Sequence, residues 1–108
     1  MAGTLSRGDV RLCRFPAPDK QRPVLILTRA AAIGYLSTVS VAPITSTVRG
    51  VPSEVVLDLD DGMKGRSAVN LHNAVTIAQA RVGRRVSSLS QARMDEVCAA
   101  LRFALGCG

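Results

Sequence analysis

At 108 residues the chain has enough material for one hydrophobic core and not for two, so residues 1–108 are read as one domain and a second is excluded. Its 14 lysines and arginines against 8 acidic residues give a net charge of +6 and a pI of about 10.3, which points to a polyanionic partner: nucleic acid, an acidic protein tail or an anionic membrane surface. The hydrophobic share is 47%, yet no apolar run approaches the roughly 20 residues that cross a bilayer, so membrane insertion is excluded and a buried oligomer interface is expected.

The chain starts Met1-Ala2-Gly3-Thr4-Leu5-Ser6-Arg7, without the apolar stretch of a secretory signal. Val10 to Phe15, with Val10 and Leu12 set among Arg11, Cys13 and Arg14, predicts an edge-type strand, and Pro16 to Gln21 an exposed turn or loop. Val24 to Thr28 is a β-branched and leucine run after a proline, which predicts a strand buried on both faces. Gly34 breaks the chain. Leu36 to Val41 alternates apolar and hydroxyl residues, the period of a half-buried strand, and Pro43 is expected to stop it because proline cannot donate to a ladder.

Thr47 to Pro52 reads as a loop, Glu54 to Leu59 as a further alternating strand, and Asp60-Asp61-Gly62 as a turn of residues that tolerate positive φ. Ser67 to Leu71, Val75 to Ala78 and Arg81 to Val86 are short strand candidates. From Ser90 the period changes: Met94, Val97, Cys98, Leu101 and Leu105 recur at helical spacing, with Ser90 as N-cap and Gly106 as the stop. Many short strands and one terminal amphipathic helix predict a mainly β, α+β fold: a small, strongly curved barrel or half-barrel with the helix packed on it. Cys13, Cys98 and Cys107 are odd in number and contain no CxxC pair, which argues against a disulfide framework and a zinc site and favours a reducing cytoplasm.

Two residues carry the chemistry. Arg22 opens the Val24 strand and Thr45 closes Val41-Ala42-Pro43-Ile44-Thr45-Ser46. A guanidinium is permanently charged and forked, so it grips two phosphate oxygens at once, and a β-branched threonine holds its hydroxyl on a stiff χ1. On the residues alone, the favoured reading is that Arg22 is a solvated strand-leading charge and Thr45 a turn residue.

The ordered set Arg7-Gly8-Asp9-Val10, Arg22-Pro23-Val24-Leu25-Ile26-Leu27, Val41 to Ser46, Pro52-Ser53-Glu54-Val55 and Leu89-Ser90 with Met94, Leu101 and Leu105-Gly106 resembles the MazF/PemK (Kid) family of toxin endoribonucleases over nearly the whole chain. The resemblance implies an SH3-like barrel like those of MazF and CcdB, a homodimer, a cognate antitoxin, and cleavage of single-stranded mRNA without metal or other cofactor. It carries the catalytic roles to Arg22 and Thr45, and RNA contact to Asp19, Lys20 and Gln21 before Arg22, to Ser46 and Arg49 after Thr45, and to His72. The stretch Asn70-Leu71-His72-Asn73 stands where many members have an acidic-glutamine-hydrophobic string, so the cleaved sequence does not carry over.

Cleavage through the RNA's own 2′-hydroxyl needs that hydroxyl deprotonated, the phosphorane charge stabilised and the 5′-oxygen protonated. Arg22 suits the second role and is too basic to be the base; Thr45 suits a hydrogen bond to a nonbridging oxygen or to the 2′-hydroxyl. His72, the only histidine, is either a proton-transfer group or a surface residue, and Glu54 and Asp19 are alternative bases. Asp58, Asp60 and Asp61 read as a polar turn, since a calcium-binding loop from Asp58 would need a glutamate where Val69 stands. Three aromatic residues are too few for the stacking platform of a sheet-type RNA binder. Arg81, Arg84 and Arg85 are a backbone-tracking stripe or a solvated face. Two rivals remain: a CcdB-like barrel that poisons a protein such as DNA gyrase, for which loss of the Arg-Thr pair would be the mark, and a non-catalytic nucleic-acid-binding barrel that leaves RNA intact.

Overall fold

The computed structural model describes residues 4–15 and 21–107. Within them, strands β1 (Asp9–Arg14), β2 (Gln21–Ile26), β3 (Thr38–Thr45), β4 (Glu54–Leu57), β5 (Ser67–Asn70), β6 (Val75–Ala78) and β7 (Val82–Ser88) pair antiparallel in the order β4-β5-β3-β2-β1-β7. β6 lies beside the first half of β3. Helix α1 (Ala30–Ile33) is a single turn between β2 and β3, and α2 (Gln91–Leu105) packs against β4 and the 3₁₀ turn Leu71–Asn73. The result is an open, barrel-like sheet with one long helix, as the patterning predicts.

The apolar run of β2 is buried on both faces because the sheet has a core on each side. Leu25 faces Val10, Ala42, Ile44, Leu57, Val69 and the α2 residues Met94, Val97 and Ala100. Val24 and Ile26 face Cys13, Ile33, Val39, Val41, Ile77 and Val82. Full burial of a Val, Leu or Ile side chain is worth about 1.5–3 kcal/mol, so a central strand with three consecutive buried residues, Val24 to Ile26, followed directly by buried Leu27, anchors both halves.

β1 is not an edge strand: it pairs with β2 on one side and β7 on the other. The charge that suggested an edge, Arg11, is 6% exposed. Its guanidinium donates to the Asp9 carboxylate at 3.2 and 3.3 Å and to the carbonyls of Gly83 and Thr4 at 3.1 and 3.0 Å. Asp9 in turn accepts from Ser88 Oγ and Ser6 N, so a hydrogen-bonded pair takes a position that sequence pattern assigns to solvent.

β3 runs through Pro43 rather than stopping at it. Ser40 faces β2, accepting from Leu27 N at 2.9 Å, so the two-residue period turns the nitrogen of Pro43 to the opposite edge. There β6 has ended opposite Val41 and β5 has not yet begun opposite Ile44. The missing donor interrupts no ladder.

α2 has the predicted caps. Ser90 accepts from Arg93 N at 3.2 Å, and Gly106 takes φ +69°. Its buried face is Met94, Val97 and Ala100, whereas Leu105 is 68% exposed. The acidic turn is a capped 3₁₀ turn at Leu59–Asp61, where Asp58 Oδ1 accepts from Asp60 N, Asp61 Oδ2 accepts from Asp58 N, and Gly62 follows at φ +84°. Arg93 ties it to α2 through two bonds to Asp61 at 3.0 and 3.2 Å. Burial pushes the Asp61 carboxyl up, but the Arg93 and Asp58 hydrogen bonds and the Arg93 charge outweigh it and hold it below its ordinary value. Among the described residues no group of three or more His, Cys, Asp or Glu is placed to hold a metal ion.

Candidate nucleic-acid interface

Pro23 opens the sheet. Leu27 donates to Ser40 across the β2–β3 ladder, so by alternation the nitrogen of Pro23 also faces β3, and it has no proton to give. The ladder ends there: its last pair is Val24 with Pro43. Continued two residues further, the same register sets Arg22 opposite Thr45 and on the same sheet face, at the point where the strands are no longer held together.

A cleft of about 530 Å³ occupies this open end. Arg22, Thr45, Gln21 and Ser46 line it, so one cleft brings together the two residues expected to be catalytic and two of those expected to touch RNA. Arg22 also borders a smaller hollow of about 120 Å³ with Phe15, Val24, Val41, Pro43 and Val75. Thr45 Oγ1 accepts the N–H of Thr47 at 3.1 Å; this fixes the oxygen and leaves its own proton to donate.

Arg49 and His72 do not line this cleft. Arg49 is exposed in the loop after β3, where its N–H and that of Gly50 donate to Glu54 Oε1 at 3.0 and 2.9 Å. His72 Nδ1 lies 2.5 Å from Ser53 Oγ. Glu54 is thereby committed to holding the loop that follows Thr45. Asp19 and Lys20 lie outside the described residues.

The sequence reading missed the opposite wall of the cleft. Lys64 and Arg66, on the loop after Gly62, line it together with Met63, Gly65 and Ser67. From β7, Arg84 and Val86 line it, and Arg81 and Arg85 do not, so that trio is neither one stripe nor one solvated face. The available signal was Lys64-Gly65-Arg66 between a turn and a strand, a cationic string that no motif singles out.

A small curved antiparallel sheet with one long helix and a cationic cleft carrying an arginine and an oriented hydroxyl defines a class of nucleic-acid-directed protein. The family described as PemK-like, MazF-like toxin of type II toxin-antitoxin system matches residues 6–105, and the chain belongs to it. It is 41% identical over 108 residues to a probable endoribonuclease, MazF5, of Mycobacterium tuberculosis strain H37Rv, covering 99% of this chain and 98% of the relative. Among solved structures it is similar to the Mycobacterium tuberculosis toxin MazF-mt6, at 35% identity and TM-score 0.85 over 93% of this chain and 98% of the other. It is similar also to a mycobacterial endoribonuclease in complex with its cognate antitoxin, at 27% identity and TM-score 0.85 over 96% and 97%.

Proposed function

We propose that this chain is a sequence-selective endoribonuclease toxin that cuts single-stranded mRNA at the cleft between Arg22 and Thr45 and is silenced there by a cognate antitoxin. Its family and the endoribonuclease names of its relatives support the activity. What supports the site is the end of the β2–β3 ladder at the Val24–Pro43 pair, just before Arg22 and Thr45, together with the lining of one cationic cleft by both residues.

In the reaction, the 2′-oxygen of the nucleotide before the cut attacks its phosphorus and loses its proton. The P–O5′ bond breaks, and the departing 5′-oxygen takes up a proton. The products are a 2′,3′-cyclic phosphate and a 5′-hydroxyl. Arg22 neutralises the charge that builds on the nonbridging oxygens, and Thr45, its oxygen held by Thr47 N, donates to one of them. Gln21 and Ser46 border the strand on either side of the pair. Charge neutralisation by a guanidinium asks for no metal at this step, and the toxin works as a homodimer in the cytoplasm. No helix among the described residues is long and apolar enough to cross a membrane.

The test is cleavage of a single-stranded RNA by purified protein in EDTA, with a matched substrate carrying 2′-deoxy at the cut site. Cutting of the first and none of the second, with cyclic phosphate and 5′-hydroxyl ends, is the expected outcome; cutting of the deoxy substrate would sink the mechanism.

A further inference from the structure

Lys64, Arg66 and Arg84 reach the cleft from walls that carry neither Arg22 nor Thr45. All three are exposed. Among the described residues no carboxylate stands within ion-pair distance of any of them, whereas Arg11 and Arg93 are each matched by acids. Three unneutralised cations on two walls of one cleft raise its potential for a polyanion. The same lining includes the apolar residues Leu12, Pro23, Ile44, Met63 and Val86. Apolar lining beside exposed cations suits a nucleotide, whose heterocycle buries its faces on the apolar residues while its phosphate meets the cations. A short, purely acidic peptide would match the cations and leave the apolar lining uncovered.

One polar group completes the wall. Ser67 is 7% exposed and lines the cleft, and its Oγ has no hydrogen-bond partner. A buried hydroxyl without a partner is costly, and the polar edge of a base would relieve that cost. The oxygen is almost fully covered, so contact with a base requires the atoms that cover it to shift.

We propose that Lys64, Arg66 and Arg84 form a second phosphate site, holding a nucleotide that neighbours the cut, with its base on the apolar lining and read by Ser67. This rests on the assignment of the cleft to RNA cleavage. It adds a selectivity wall built from the 64–66 loop and β7 to the pair that does the chemistry.

The experiment compares wild type, an Arg66→Ala/Arg84→Ala double variant and Ser67→Ala. One arm measures cleavage kinetics on a single-stranded RNA pool randomised on both sides of the cut. The other measures anisotropy of an uncleavable 2′-deoxy analogue at several salt concentrations. The double variant is expected to lower kcat/KM about tenfold or more with the loss carried by KM, and to flatten the log affinity against log salt slope by about 1.4, at about 0.7 per phosphate contact on a single strand. Arg66→Lys/Arg84→Lys should restore the slope, since point charges suffice for counterion release. Ser67→Ala should relax selectivity at one neighbouring position by about tenfold at an unchanged salt slope. An unchanged KM and salt slope in the double variant overturn the proposal, as does wild-type RNA affinity combined with lost affinity for an acidic antitoxin peptide, which would give the cations to the partner. If wild type binds the analogue with the expected slope but cuts nothing, the catalytic reading fails and the phosphate site stands.

Discussion

Gly62→Ala separates two costs that a glycine hides, and Gly50→Ala supplies the control. Both glycines sit in the left-handed region, at φ +84° and +74°, so each alanine incurs a backbone penalty of about 1–2 kcal/mol. They differ in surroundings. A Cβ on Gly50 meets nothing within 4 Å, whereas on Gly62 it would stand 2.4 Å from Ser87 Oγ and 2.9 Å from Ser87 Cβ. Rotating the Ser87 hydroxyl relieves only the first contact, because Cβ is fixed to β7. Rotation also breaks the bond from Ser87 Oγ to Asp61 O at 2.6 Å, worth about 0.5–1.5 kcal/mol. With displacement of the strand added, Gly62→Ala should cost about 3–4 kcal/mol against about 1–2 kcal/mol for Gly50→Ala. Urea unfolding at neutral pH reads the difference as a shift in midpoint at constant slope. Adding Ser87→Gly to Gly62→Ala should recover the part of the excess that comes from displacing the strand, the Ser87 Oγ bond being lost in both variants. Equal costs for the two alanines, or no recovery in the double variant, would refute the close approach of the Gly62 turn to β7, and with it the position of the 64–66 wall.

Three further outcomes follow from the same structure. Asp61, whose folded pKa lies below its ordinary 3.8, stabilises the fold fully above that value and loses its contribution as pH falls through the folded pKa; the stability gap between wild type and Asp61→Asn should therefore be constant from about pH 5 upward and close below 3.8, as followed by urea midpoints. With Tyr35, Phe103 and Leu105 exposed at 90%, 61% and 68%, the protein should sediment as a dimer at micromolar concentration; a monomer there contradicts an apolar interface. An acidic antitoxin segment should compete with an uncleavable RNA analogue in anisotropy titrations, and salt should weaken the RNA more steeply because counterion release dominates its affinity; a stable ternary complex would place inhibition away from Arg22 and Thr45.

What the sequence discloses and withholds follows from where each property resides. β2 and α2 are legible because their signals are local: a continuous apolar run needs two cores, and Ser90 and Gly106 cap whatever helix lies between them. Arg22 and Thr45 become legible as a pair through family resemblance, and the structure adds that both line one cleft just beyond the end of the β2–β3 ladder. The path of β3 through Pro43 was hidden because a proline's effect depends on which edge its nitrogen faces and on which partner stands there. Arg11 misled because burial of a charge is decided by Asp9 and by carbonyls 7 and 72 residues away. The Lys64 and Arg66 wall was hidden for a related reason: only the Gly62 turn, seated on Ser87, brings that loop to face Arg22.

The central claim is that Arg22 and Thr45 act together on the scissile phosphate at the open end of the β2–β3 ladder. Single-turnover cleavage of a saturating RNA by wild type, Arg22→Ala, Arg22→Lys and Thr45→Ala, each with an unfolding midpoint to certify the fold, tests it most directly. The account predicts that each alanine slows the chemical step by roughly 10²-fold or more without loss of fold, and that lysine recovers only part of the rate because a point charge cannot make the forked contact. A folded Arg22→Ala or Thr45→Ala protein that cuts at the wild-type rate with the same base preference would contradict it.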